Sequence, residues 1–161
     1  MLPDVLVPDL ALVVCGTAAS TRSAERMAYY AGPGNKFWRT LEATGLTPQR
    51  LEPEDFPTLP RYGIGLTDVT KGQSGMDHEI DFKRSDPSAV RDKILEYTPA
   101  WLAFNGKRAA QIYLGTKTVD YGPLDETLGT TRLFVAPSTS GAANGSWDPT
   151  LWQALADAVR A

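Results

Sequence analysis

Apolar positions in this chain gather into short continuous runs, and between them lie stretches with a helical period. Leu10 to Cys15 (LALVVC) is apolar throughout and stops at Gly16, as expected of a strand buried on both faces. Gly63 to Val69 (GIGLTDV) is a second strand candidate, weakened by its glycines. Ala100 to Phe104 (AWLAF) and Thr131 to Ala136 (TRLFVA) complete a set of four. From Asn35 the period turns helical, with Phe37, Trp38 and Leu41 on one face and Gly45 placed to end the helix. Asp86-Pro87 and Asp148-Pro149 each present an N-cap followed by proline at the first helical position. Val90, Ile94 and Leu95 give the first of these helices its buried stripe, and Leu151, Trp152, Leu155 and Val159 the second. Lys107 to Leu114 reads as a further helix closed by Gly115. Thr17 to Gly34 and Thr70 to Ser85 show neither period and read as long loops. Strands alternating with helices imply crossover units. The chain is therefore expected to be α/β: a three-layer α/β/α sandwich around a central, mostly parallel four-stranded sheet, in one domain over residues 1–161.

Composition narrows the chemistry more than the fold. A chain of 161 residues buries roughly 70% of its unfolded surface and needs no disulfide or metal to hold a core. Cys15 and His78 are the only thiol and imidazole, which excludes an internal disulfide and a Cys/His zinc site. No stretch approaches the roughly 18 apolar residues of a membrane span, and no basic region followed by an apolar run suggests a signal peptide. A soluble, cytoplasmic protein is the expectation. The net charge of −3 argues against a protein that coats nucleic acid indiscriminately, yet says little about a small basic site. It predicts weak nonspecific binding that is lost quickly with salt.

In an open parallel sheet, ligands bind beyond the carboxyl ends of the strands. The loops leaving those ends are Gly16–Gly34, Asp68–Ser85, Asn105–Lys107 and Pro137–Trp147, all rich in small or polar residues. Several chemistries are missing from them. There is no phosphate-binding P-loop, Gly32-Pro33-Gly34 lacks the third glycine of a dinucleotide fingerprint, and no G-x-S-x-G elbow occurs. His78, in a polar loop, reads first as a solvated side chain. Carboxylate, amide and hydroxyl chemistry with aromatic stacking remains, and no metal or cofactor is expected.

The loop motifs carry a resemblance. VVCGTAASTRSA, YYAGPGNKFW, YGIGLTDV and VAPSTSG, in this order and spacing over most of the chain, resemble the uracil-DNA glycosylase superfamily. YYAGPGNKFWRTLEATGLTP is similar to both its mismatch-specific uracil and its hypoxanthine-DNA glycosylase branches. GLTDV, SGMD, AFNGKRAA and PSTSGAANG look more like the hypoxanthine branch. The mismatch-specific enzymes carry Asn at the third position of the first motif, where it positions the attacking water. Here Gly16-Thr17-Ala18 places Ala18 there, so catalysis rests elsewhere or is lost; the hypoxanthine branch likewise lacks an acidic or amide residue in that loop.

The resemblance implies a monofunctional DNA glycosylase that hydrolyses a deaminated base, uracil or hypoxanthine, from single-stranded or mispaired DNA, acting as a monomer. Such an enzyme takes the nucleotide out of the stack and passes through an oxocarbenium-like state, with negative charge moving onto the departing base. It needs an anion below the sugar, a placed water and donors to the base. Asp68, ending the second strand, is the best carboxylate, with the capping of the following turn as its bland alternative. Asn35 is the second catalytic candidate, or simply an N-cap. Tyr30 is the stacking platform, with Tyr29 its possible substitute. Asn105 suits reading of a base edge, or the tying down of a loop. Backbone N–H groups of Thr17, Ala18 and Ala19 are placed to polarise a base carbonyl. Ser138, Thr139 and Ser140 offer hydroxyls and N–H groups to DNA phosphates, and Gly141 to Gly145, including Asn144, could enter the gap left by the flipped nucleotide. Arg22, Arg26, Lys71, Lys83, Arg84, Lys107 and Arg108 could supply a basic rim, or be ordinary solvated surface. Phe37, Trp38, Trp101 and Trp152 read as core. Two rival readings stand beside the glycosylase: a catalytically silent DNA-binding module, and a hydrolase of free nucleosides or nucleotides.

Overall fold

The computed structural model describes residues 2–161. Its strands in chain order are β1 (Leu12–Gly16), β2 (Ile64–Asp68), β3 (Trp101–Asn105), β4 (Gly122–Leu128) and β5 (Thr131–Ala136). They form one sheet in the order β2-β1-β3-β5-β4, parallel throughout except for β4, which runs antiparallel to β5. The three-layer arrangement is as expected, but the sheet has five strands rather than four. The strand not foreseen, β4, has no apolar run because it is an edge strand with most side chains in solvent and an irregular register between Pro123 and Thr127.

The helices are α1 (Thr21–Arg26), α2 (Phe37–Ala43), α3 (Pro87–Tyr97), α4 (Lys107–Leu114) and α5 (Pro149–Arg160). A 3-10 segment over Pro53–Tyr62 precedes β2. Helix α1 falls inside what reads as a loop in the sequence. Its only buried residue is Ser23, so it has no apolar stripe; the Ser20 side chain caps its start and Met27, at φ 51°, ends it. The two Asp-Pro starts behave as expected: Asp86 accepts from the Ala89 N–H and Asp148 from the Thr150 N–H.

Alternate residues of each buried strand feed two separate cores. Leu12 and Val14 of β1, with Trp101 and Ala103 of β3, pack against Phe37, Trp38 and Leu41 of α2 and Trp152 of α5. Val13 and Cys15, with Leu102 and Phe104, pack against Val90 and Ile94 of α3 and Ala109, Ala110 and Tyr113 of α4. This strict alternation with both sets buried is why the strands read as unbroken apolar runs.

The free edge of β2 is covered by the N-terminal segment. Val5 exchanges both backbone hydrogen bonds with Leu66 at 2.9 Å. Gly65 is required there, because a Cβ would lie 2.4 Å from the Val5 carbonyl oxygen and 2.6 Å from Leu10. The glycine that weakens β2 as a sequence signal thus admits the segment that covers its edge. No helix among the described residues is long and apolar enough to cross a membrane.

Candidate active site

The chain leaves β1 toward β2 on one side and reaches β3 on the other, so the crevice between the carboxyl ends of β1 and β3 is the topological switch point. A cleft of about 820 Å³ opens there, bordered by all four rim loops. It brings together Thr17, Ala18, Ala19, Tyr30, Asn35, Asp68 and Asn105 with Ser138, Thr139 and Ser140. Residues scattered over more than a hundred positions of sequence meet because each ends a strand or lies in the connection that leaves a strand's carboxyl end. Gly141 and Asn144 belong to the same rim segment.

Asp68 closes the floor. It is the last residue of β2, only 5% exposed. Burial pushes its carboxyl up to about 6, against the lowering influence of the Lys71 ammonium 3.6 Å away. Such a group changes charge close to neutrality. Gly16 makes room for it: a Cβ on Gly16 would stand 2.7 Å from Asp68 Oδ1 and 3.0 Å from the Tyr30 hydroxyl. The glycine that ends the first apolar run is thus a packing requirement of the site.

Tyr29 and Tyr30 separate clearly. Tyr29 is 2% exposed; its hydroxyl donates to the Pro3 carbonyl and accepts from Lys71 Nζ, both at 2.9 Å. Tyr30 is half-buried in the cleft wall, its ring packed on Phe37 with centroids 4.2 Å apart. It adopts φ 53°, a left-handed conformation uncommon outside glycine. Its buried hydroxyl has no hydrogen-bond partner among the described residues. Burial, and then the Asp68 charge, push this phenol well up, so it stays protonated.

Asn105 and Thr139 form a reciprocal clamp. The Asn105 Nδ2 donates to Thr139 Oγ1 and its Oδ1 accepts from the Thr139 N–H, both at 3.0 Å. The loop-tying role weighed for Asn105 is therefore real, and one further proton and lone pair of the amide remain for other partners. Thr139 is fully buried, its N–H donating to Asn105 and its hydroxyl accepting from it, and this burial rather than a lack of donors keeps it from meeting a phosphate. Ser138 and Ser140 are half-buried on the same loop, and Ser140 caps the 3-10 turn Gly141–Ser146.

Asn35 accepts from the Phe37 N–H through Oδ1 at 3.0 Å, an Asx turn that leads into α2. The N-cap itself is Lys36, one residue later. Lys36 is buried, donates to Asn144 Oδ1 and lies over the Trp147 ring. Its backbone N–H donates to the Thr139 carbonyl at 2.9 Å, and beside it Gly34 and Gly141 lie so close that a Cβ on either would contact the other's backbone. Among the described residues, the N–H groups of Thr17 and Ala18 donate to no acceptor.

The basic residues divide. Arg26 is paired with Glu54 at 2.7 Å and Lys71 with Asp4 at 2.9 Å. Lys107 and Arg108 line the cleft, resting on the rings of Tyr121 and Phe82. His78 is exposed at the cleft mouth. No group of three His, Cys, Asp or Glu among the described residues is placed to hold a metal ion.

Three residues of this constellation escape sequence reasoning. Lys36 had a signal, since a cation at a helix start opposes the helix dipole. Gly16 had a weaker one as the terminator of an apolar run. Asp4, which reaches Lys71 beside Asp68, had none.

The profile of the family described as the Uracil DNA glycosylase superfamily matches residues 3–157. The fold is similar to the solution NMR structure of a protein from Methanosarcina acetivorans described as a candidate uracil DNA glycosylase. The TM-score is 0.66 at 24% identity, over 99% of this chain and 97% of that one.

Proposed function

The chain belongs to the Uracil DNA glycosylase superfamily, and from that premise we propose that it hydrolyses the N-glycosidic bond of a deaminated base, uracil or hypoxanthine, in single-stranded or mispaired DNA. The product is an abasic site, as in base excision repair. The observation that carries the reading is the buried carboxylate of Asp68, at the floor of a cleft large enough for a flipped nucleotide.

In this reading the base enters over Tyr30. Thr17 and Ala18 turn free N–H groups toward a base carbonyl and take up the charge that moves onto the departing base. The ionised Asp68 lies below the sugar and stabilises the oxocarbenium character of the transition state. Asn35, whose Oδ1 is occupied by the Phe37 N–H, keeps its Nδ2 for the attacking water. Asn105 reads the base edge with the amide capacity that Thr139 leaves over. Ser138, Ser140 and the 3-10 turn at Gly141 engage the phosphates, with Lys107 and Arg108 beside them. The protein acts as a monomer, without cofactor, in the cytoplasm and on the nucleoid of a prokaryote. Ala18 is compatible with activity here because its own part is played by a backbone N–H, while the carboxylate and amide side chains that act belong to Asp68 and Asn35.

Labelled oligonucleotides containing uracil or hypoxanthine, single-stranded or mispaired, are incubated with the protein and cleaved with alkali. Strand cleavage is expected for at least one of them, and Asn35→Ala should lower the rate at least roughly tenfold. Retained binding with no abasic product from any oligonucleotide would instead identify a silent DNA-binding module. Cleavage of free nucleosides alone would identify a small-molecule hydrolase.

A further inference from the structure

Lys71 Nζ lies within 3.2 Å of three acceptors: the Asp4 carboxylate at 2.9 Å, the Tyr29 hydroxyl at 2.9 Å and the Leu2 carbonyl at 3.2 Å. An ammonium has three protons, so this set takes up its whole donor capacity. Asp68, at 3.6 Å, is left beyond hydrogen-bond distance. Asp4 is itself held by Thr67 Oγ1 at 2.7 Å and by Lys93 Nζ of α3 at 2.5 Å. The antiparallel bridge between Val5 and Leu66 brings this carboxylate to the end of β2.

We propose that Asp4 is a positioning residue for the reaction: by engaging Lys71 it keeps that cation from closing onto Asp68, and so leaves the Asp68 carboxylate to act on the substrate. The inference rests on the role given to Asp68 above. Lys71 and Asp68 already form an ion pair at 3.6 Å; were Lys71 released to close to hydrogen-bond distance, it would offset more of the carboxylate's charge and weaken its field at the sugar. The remaining ionisable groups facing Asp68 are Lys93 from α3, Cys15 from β1, and Tyr29 and Tyr30 from the segment before α2. Burial pushes the thiol and both phenols up, so all three are neutral near pH 7. Lys71, Asp4 and Lys93 are left as the charges that set the state of Asp68. Asp4 binds its two lysines firmly: burial alone would raise its carboxyl, but Lys93 and Lys71 lower it on balance.

The test is a variant cycle read in two ways. The Asp68 carboxyl is titrated by carbon NMR without DNA, and single-turnover excision is followed against pH. Asp4→Asn should lower the Asp68 midpoint from about 6 toward the ordinary carboxylate range, and lower the excision rate about tenfold with little change in DNA affinity. Adding Lys71→Met should restore the rate and raise the midpoint again, a rescue that a purely structural role for Asp4 would not give. Lys71→Met alone should raise the midpoint, which keeps the idea testable if Asp4→Asn does not fold. An unchanged Asp68 midpoint in either single variant overturns the inference. So does a wild-type rate in Asp4→Asn while Asp68→Asn is impaired. Full activity of Asp68→Asn refutes the underlying role of Asp68 itself and is thereby distinguished from failure of Asp4 alone.

Discussion

Replacing Asp68 by asparagine should make the protein slower and more stable at once. The folded carboxyl titrates at about 6 against an ordinary 3.8 because the side chain is buried. Between those values the native state binds more protons than the unfolded chain, so stability falls as pH rises through the window, and the loss is complete above pH 6. A displacement of about two units corresponds to about 3 kcal/mol, the upper bound on what a neutral isostere can recover at pH 7.5. For a chain of this length that is roughly 6–12 °C in Tm, with the Lys71 attraction already contained in the shifted value, and a rise of at least about 3 °C is expected for an imperfect isostere. At pH 4.5 most of the difference should vanish, because the wild-type carboxyl is then protonated in the fold. Thermal unfolding followed by circular dichroism between pH 4.5 and 8 gives the difference curve. Oligonucleotide cleavage should show the same variant slower by at least roughly tenfold. The reasoning fails if Asp68→Asn melts below the wild type at pH 7.5, or if the gap in Tm does not widen with pH.

With ionised Asp68 in the role proposed above, wild-type excision should rise with pH through a midpoint near 6; a flat pH–rate profile from 5 to 8 excludes it as the titrating group. Gly16→Ala places a methyl 2.7 Å from Asp68 Oδ1 and should cost about 1–3 kcal/mol of stability and at least tenfold in single-turnover rate. Wild-type turnover in a folded Gly16→Ala protein would show that the position of Asp68 does not matter. Asn105→Ala strips the partners from the buried Thr139 N–H and hydroxyl and should destabilise by about 2–4 kcal/mol. Faster exchange of the Thr139 amide should accompany it, and an unchanged Tm would show that the clamp is redundant.

What the sequence discloses about this fold follows from how locally each feature is encoded. The four strands buried on both faces are apolar runs, and the helix starts at Asp86 and Asp148 are local chemistry, so both are legible. Strand β4 and helix α1 are not: one is an edge strand with a polar face, the other buries only Ser23. That Asp68, Asn105 and the loop after β5 border one cleft is legible because each ends or follows a strand, and the switch-point rule places those ends together. The interplay among them is another matter. That Asn105 spends its amide on Thr139, or that Asp4 stands beside Lys71, follows from tertiary pairings such as Val5 with Leu66, for which no neighbouring residue gives a sign. The choice between Tyr29 and Tyr30 is similar, since only the fold shows which ring has Lys71 and Pro3 as partners.

The segment carrying Asn35 and the 138–146 loop share a seam without play. Gly34 and Gly141 lie so close that a Cβ on either would contact the other's backbone, the Lys36 N–H is bonded to the Thr139 carbonyl, and the Lys36 ammonium reaches Asn144. A displacement of either side is carried to the other, as between two plates riveted at three points. In the function proposed above, pressure from a DNA strand on the outer loop would be felt at the start of α2, and alignment of the Asn35 amide would be part of gripping the strand rather than a later, separate event.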